Sequence, residues 1–389
     1  MRARRLAAVA MSALLLAGCA EAAAPVDVDR VPTSGGDPLP EIDTADLRIP
    51  IQVEGVRVVD PGWDVAPQTA EGIALGFTED GGVLRFTAVA PDGDPLWTVE
   101  RPASCTGFLV TTAGDRALAV LTDTSTTEDS LAETTATAYD LATGEPVWGP
   151  VEVPGPLHGP GLVFAEPSTE AMGASGPRVA LDPATGEVAA QDHDGTVVVG
   201  TYDDVLVERE EGTLVATDVH DGSEQWRVEP AERGWDLEGV VAAPGETAAP
   251  GTAVWQVGDD ATALVDLDDG SLLAEDVAHV AADPTTGTVV TLEDTRITGT
   301  GPAGEELWAF SIAPGTTIAG VSGALVFLRE GETVRAHNVV TGDVAEAYDP
   351  EGTGRIVVPT TVTGDGSVVL GDFERYYLAT TATDGSGAP

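Results

Sequence analysis

The string TAYDLATGEPVW, residues 137–148, decides the fold. It reads as a strand, a short turn ending in Gly144, and a second strand carrying Trp148. Asp140 stands four residues before the glycine. A carboxylate there accepts hydrogen bonds from the turn's own backbone amides. Gly144 supplies the left-handed residue that a bulged hairpin requires. Strand alternation then sets the tryptophan on one face, where an indole packs against a neighbouring layer.

The same pattern recurs along the chain: FTAVAPDGDPLW (86–97), RVALDPATGEVAA (178–190), LVATDVHDGSEQW (214–226), ALVDLDDGSLLA (263–274), RITGTGPAGEELW (296–308), VRAHNVVTGDVAE (334–346) and YLATTATDGSG (377–387). The turn glycines are Gly93, Gly144, Gly186, Gly222, Gly270, Gly304, Gly342 and Gly385. Their mean spacing is about 42 residues, the length of a four-stranded propeller blade. Asp140, Asp182, Asp218 and Asp266 share one column of the repeat, and Trp97, Trp148, Trp226 and Trp308 share another. Ala190, Ala274 and Glu346 interrupt the tryptophan column. Helices are excluded, because Gly, Pro and β-branched residues recur too often.

Eight turns predict an all-β, eight-bladed propeller over residues 48–389, with seven blades as the alternative. Gly385 lies four residues from the end, so the last blade lacks its outer strand. The apolar segment Ile49-Pro50-Ile51-Gln52-Val53 is expected to supply it. Joining the ends this way closes the ring and removes exposed edges.

The first 18 residues read as a signal peptide: Arg2, Arg4 and Arg5, then an apolar run from Leu6 to Ala17. That run is too short to remain as a membrane span. Leu16-Ala17-Gly18-Cys19 resembles the bacterial lipobox. The resemblance implies that Cys19 becomes the acylated N-terminus, anchored to the outer face of a membrane. Residues 19–47, rich in Pro, Ala and Asp, read as a flexible tether.

After cleavage, 15 arginines face 65 acidic residues, and the chain has no lysine. Such a surface repels nucleic acid and anionic headgroups. The absence of lysine also removes any Walker-type phosphate loop. The composition is that of high-GC genomes such as those of actinobacteria.

TAYDLATGEPVW resembles the repeat of the pyrroloquinoline-quinone (PQQ) family of propellers, whose Asp-x-x-Thr-Gly and following Trp dock one blade on the next. The resemblance spans most of residues 48–389 and is degenerate in several blades. One branch of that family is the quinoprotein dehydrogenases, which use an adjacent Cys–Cys pair, a calcium site and an Asp base. The other is non-enzymatic lipoproteins of the BamB type, and the match to these is architectural.

Cys105 stands alone, so nothing here matches the dehydrogenase site and no cofactor is expected, PQQ included. Asp266-Leu-Asp268-Asp269-Gly270 is a poor calcium loop, with its glycine one residue early and no glutamate at the twelfth position. His158, His193, His220, His279 and His337 show no metal-ligand spacing and read as turn or strand-surface residues. Two insertions, 122–135 and 241–252, are candidate rim loops. The reading is a monomeric, membrane-anchored, non-catalytic scaffold that binds another envelope protein. An envelope enzyme or a ligand-sensing ectodomain using the channel is the alternative. Two carboxylates about 5–10 Å apart in one pocket would favour an enzyme.

Overall fold

The computed structural model describes residues 28–53, 56–105, 107–125, 133–167, 175–235, 241–242, 249–258, 261–372 and 374–380. The signal segment, Cys19, Gly385 and part of each insertion lie outside them.

Among the described residues, eight antiparallel sheets form the blades of an eight-bladed propeller, and a ninth, Leu47–Arg48 with Arg355–Ile356, is a short parallel pair. From inner to outer strand, blade 1 is Gln68–Ala70, Ile73–Asp80, Val83–Val89 and Pro95–Pro102. Blade 2 is Phe108–Ala113, Arg116–Ser125, Glu133–Asp140 and Pro146–Val153. Blade 3 is Val163–Pro167, Ser175–Leu181 and Val188–Gln191, its innermost strand reduced to a bridge between Leu157 and Phe164. Blade 4 is Thr196–Tyr202, Val205–Glu210, Thr213–Asp218 and Glu224–Val228. Blade 5 is Val241–Ala242, Thr252–Gln256, Thr262–Asp266 and Leu272–Glu275. Blade 6 is His279–Ala282, Val289–Leu292, Arg296–Thr300 and Glu306–Ser311. Blade 7 is Thr317–Ser322, Leu325–Glu330, Thr333–Asn338 and Val344–Ala345.

Blade 8 takes Val358–Val362, Val368–Gly371 and Tyr376–Ala379 from the end of the chain, and its outer strand, Val58–Trp63, from the beginning. This corrects the expected closing strand. Ile51–Val53 is a 3-10 turn, held by a bond from the Ile51 amide to the Ala347 carbonyl. Pro50 has no N–H to give a ladder. The true closing strand contains Pro61-Gly62 and a register shift between Val59 and Trp63, so it reads as a turn in sequence. Val58, Val59 and Trp63 are nonetheless fully buried.

Residues 28–47 are likewise no free tether. Val28 is buried, and Thr33–Ser34 adds a fifth strand to the outer edge of blade 1, opposite Thr98 and Trp97. Arg101, almost wholly buried, donates to the Arg30 carbonyl at 3.2 Å and to the Tyr139 hydroxyl at 2.8 Å. Arg30 in turn reaches Asp123 of blade 2 at 2.8 Å. An edge strand leaves amides and carbonyls unpaired, and the segment covers them. So short a strand leaves no periodicity to read.

The core is distributed between neighbouring blades. Leu75, Phe77, Leu84 and Phe86 of blade 1 meet Ala119, Leu121 and Tyr139 of blade 2 in one cluster. The Phe77, Phe86 and Phe108 rings lie edge to face, with centroids 5.1–5.8 Å apart. Each such buried ring contributes roughly 1.5–3 kcal/mol. Stability is therefore a property of junctions, and an unfilled junction stands out.

Candidate functional site

Four junctions are built alike. Trp97, Trp148, Trp226 and Trp308 each send the indole N–H to a carbonyl of the next blade: Leu141 at 2.8 Å, Pro183 at 2.8 Å, Leu267 at 2.6 Å and Val339 at 2.7 Å. The ring lies over the next blade's turn glycine. A Cβ at Gly186 would stand 2.6 Å from the Trp148 ring, and one at Gly144, Gly270 or Gly342 would meet Trp97, Trp226 or Trp308 as closely. The turn aspartates hold these loops by bonding inwards. Asp140 Oδ1 accepts from the Thr143 amide at 3.0 Å, Asp182 from Ala184 at 2.6 Å, Asp218 from His220 at 2.9 Å and Asp266 from Asp268 at 2.8 Å.

The junction between blades 3 and 4 is different. Ala190 stands where the tryptophan would be, and a Cβ on Gly222 would meet nothing within 4 Å, as is also true of Gly304 in blade 6. A cleft of about 440 Å³ opens there, lined among others by Val188, Ala189, Leu206, Val219 and Gly222. Five carboxylates also face it: Asp182, Glu187, Glu208, Glu210 and Asp218. Burial, then the Glu210 carboxylate, pushes the Glu208 carboxyl above its usual range. His220 bridges the two blades, with Nε2 3.1 Å from Asp204 and Nδ1 3.5 Å from Asp182. Burial alone lowers its pKa, but the two carboxylates more than reverse that, and the net shift is upwards.

The channel side has opposite character. Among the described residues, the innermost strands of blades 1, 2 and 4 to 8 read QTA, FLVTTA, TVVVGTY, VA, HVAA, TIAGVS and VPTTV. They carry no Asp, Glu, Lys or Arg, in a chain of formal charge −47.

Residues 132–293 match the family model described as "Outer membrane protein assembly factor BamB". Over that stretch the chain is similar to the PQQ-like repeats of that family. Among solved structures, BamB from Moraxella catarrhalis is similar at 12% identity and a TM-score of 0.46, over 87% of this chain and 98% of that one. The computationally designed Ika8 protein is similar at 15% identity and 0.45, over 86% and 99%. Saccharomyces cerevisiae Sqt1 is similar at 13% and 0.41, over 83% and 97%. No curated protein matches the chain.

Local turns and packing absorb most of the remaining candidates. Asp266 and Asp269 spend their Oδ1 atoms on the amides of Asp268 and Ser271 within the turn. His337 is buried, stacks on Phe310 at 4.8 Å and bonds the Gly342 carbonyl at 3.0 Å. His193 Nδ1 lies 3.0 Å from the Gln191 carbonyl, and His279 opens the inner strand of blade 6. His158 is held below its ordinary pKa by burial and by Arg178. Cys105 is buried against Thr124. Among the described residues, no three His, Cys, Asp or Glu side chains are grouped to hold a metal ion.

Sequence reasoning missed Asp283, Trp63 and the cleft itself. Asp283 caps the inner hairpin of blade 6, accepting from the Thr286 amide at 2.9 Å and from Ala324 of blade 7 at 3.3 Å. Its Asp-x-x-x-Gly pattern was legible at 283–287, outside the expected column. Trp63 reaches the Thr87 carbonyl of blade 1 at 3.3 Å across the closing junction. The cleft was signalled by Ala190 breaking the tryptophan column.

Proposed function

We propose that this chain is a lipid-anchored, extracytoplasmic propeller that acts as a non-catalytic, protein-binding scaffold. The observation that carries the reading is the uncharged set of inner strands. Acid–base chemistry in a channel needs paired ionisable groups, and these strands offer none; the carboxylates that do share a pocket, Asp182, Glu187, Glu208, Glu210 and Asp218, lie in the cleft between blades 3 and 4 instead. What the protein presents instead is a closed, rigid ring with charged outer surfaces, suited to recognition. Cys19 carries the anchor in this reading. Val28, the first described residue, is buried nine positions later. At roughly 3.3–3.6 Å per residue, that lead holds the outer edge of blade 1 within about 30 Å of the bilayer.

In-cell cross-linking followed by purification of the full lipoprotein tests the scaffold. A reproducible partner at fixed stoichiometry is expected, and none across several cross-linker chemistries defeats it. Cys19→Ser is expected to move the protein from the membrane to the soluble fraction, and a variant that stays bound defeats the anchor.

A further inference from the structure

The repeat carries its own template for what belongs at a junction. In blades 1, 2, 4 and 6, the residue paired with the docking tryptophan across the sheet is small: Ala88, Ala138, Ala216 and Gly299. The indole uses that room. Blade 5 has Ala274 in place of tryptophan, and its opposite residue is the larger, buried Leu264. Blade 7, with Glu346 at this position, faces blade 8, whose outer strand arrives from the start of the chain without such a hairpin. Blade 3 pairs small with small, Ala180 opposite Ala190, and still faces a turn glycine, Gly222. Here the small pair is kept and the indole is missing: Ala180 is buried with Val163, Val198, Leu206 and Val219, and of these Leu206 and Val219 also line the cleft.

The hydrogen-bond partner is kept as well. Leu141, Pro183, Leu267 and Val339 stand three residues before their turn glycines, and each carbonyl accepts an indole N–H. Val219 holds that place before Gly222 and lines the cleft. Among the described residues, no backbone amide or side chain donates to its carbonyl. The cleft of about 440 Å³ exceeds the volume of one aromatic side chain.

We propose that this cleft receives a tryptophan side chain from a basic segment of the partner protein. The segment would complete the junction in trans, as Trp148 and Trp226 complete theirs in cis. Charge chooses the flanks. Five carboxylates line the cleft, whereas the cations near it are already engaged: His220 between Asp182 and Asp204, and Arg227 with Glu224 and Glu210. Lysine or arginine on either side of the tryptophan answers that surplus. Aromatic anchors in a desolvated seat with charged rims are how small contact patches gain affinity. The inference rests on the scaffold reading and names the chemistry of its partner.

The test uses the full chain in detergent at physiological salt. The probes are two synthetic peptides, one with a single tryptophan between arginines and a twin with alanine in its place. Isothermal titration is expected to show the tryptophan peptide binding at least about tenfold more tightly than the twin, or 1.4 kcal/mol. Ala190→Trp supplies the ring in cis and is expected to raise Tm and abolish the difference. Ala190→Leu adds apolar bulk at the same position and decides the matter if the tryptophan variant does not fold. Equal affinity of the two peptides for the wild type, or an undiminished difference in a folded filled variant, overturns the proposal. Cross-linking separates this failure from the wider one. A partner captured equally by wild type and Ala190→Trp removes the cleft and leaves the scaffold, whereas no partner from the wild type removes the scaffold.

Discussion

Trp148 shows how much one side chain does. Its ring sits on Gly186, whose φ of 71° only glycine adopts without strain, and its N–H reaches Pro183 at 2.8 Å. Trp148→Phe keeps most of the apolar contact and loses the bond, which is expected to cost about 1 kcal/mol. Trp148→Ala empties the junction, at about 3–5 kcal/mol. Urea midpoints of the two variants check this, and equal losses would show that the hydrogen bond carries the docking. Asp140 and its column act on a smaller scale, pinning each turn so that the glycine meets the ring. That role was legible from spacing alone, because the bonds run within five residues.

Hairpins and closing strands are where single interactions become cooperative. The turn of blade 4 is tied to blade 3 by His220, whose pKa in the fold is raised above its ordinary value of 6.5. A raised histidine stabilises the fold when protonated, fully below the unfolded pKa, and loses that contribution as pH rises through the folded value. The Tm gap between wild type and His220→Gln is therefore expected to be largest below the ordinary histidine value of 6.5 and to shrink as pH rises above it. A gap that is constant with pH would sever His220 from the two carboxylates. At the closing blade, Val59 is fully buried in the strand that joins the chain's two ends, opposite Leu378. Val59→Asp puts an unpaired charge there and is expected to abolish cooperative unfolding. Val31→Asp, at an exposed position of the same leading region, is expected to leave the transition unchanged. Circular dichroism on heating distinguishes them.

At the scale of the molecule, charge governs. With 65 acidic residues against 18 arginines, repulsion among carboxylates is large. It opposes the compact state and is screened over about 10 Å at 0.1 M salt. The melting temperature is expected to rise with sodium chloride, and further with millimolar divalent cation. A flat response would mean that the carboxylates are already compensated by the local bonds they make, as Asp269 and Asp221 are with the amides of Ser271 and Ser223.

The sequence by itself determined the repeat, the eight blades, the turn aspartates and the four docking tryptophans. These depend on contacts within a hairpin or on a column repeated at one period, and both survive in a linear string. Only the tertiary structure decided which segment closes the ring, that residues 28–47 lie along blade 1, and that Ala180 stands opposite Ala190 beneath an open glycine. Val58–Trp63 is a strand only because Tyr376–Ala379, more than three hundred positions away, offers an open edge. Thr33–Ser34 needs the edge of blade 1 in the same way. The cleft is an absence, and it becomes visible only when the four filled junctions show what would have occupied it.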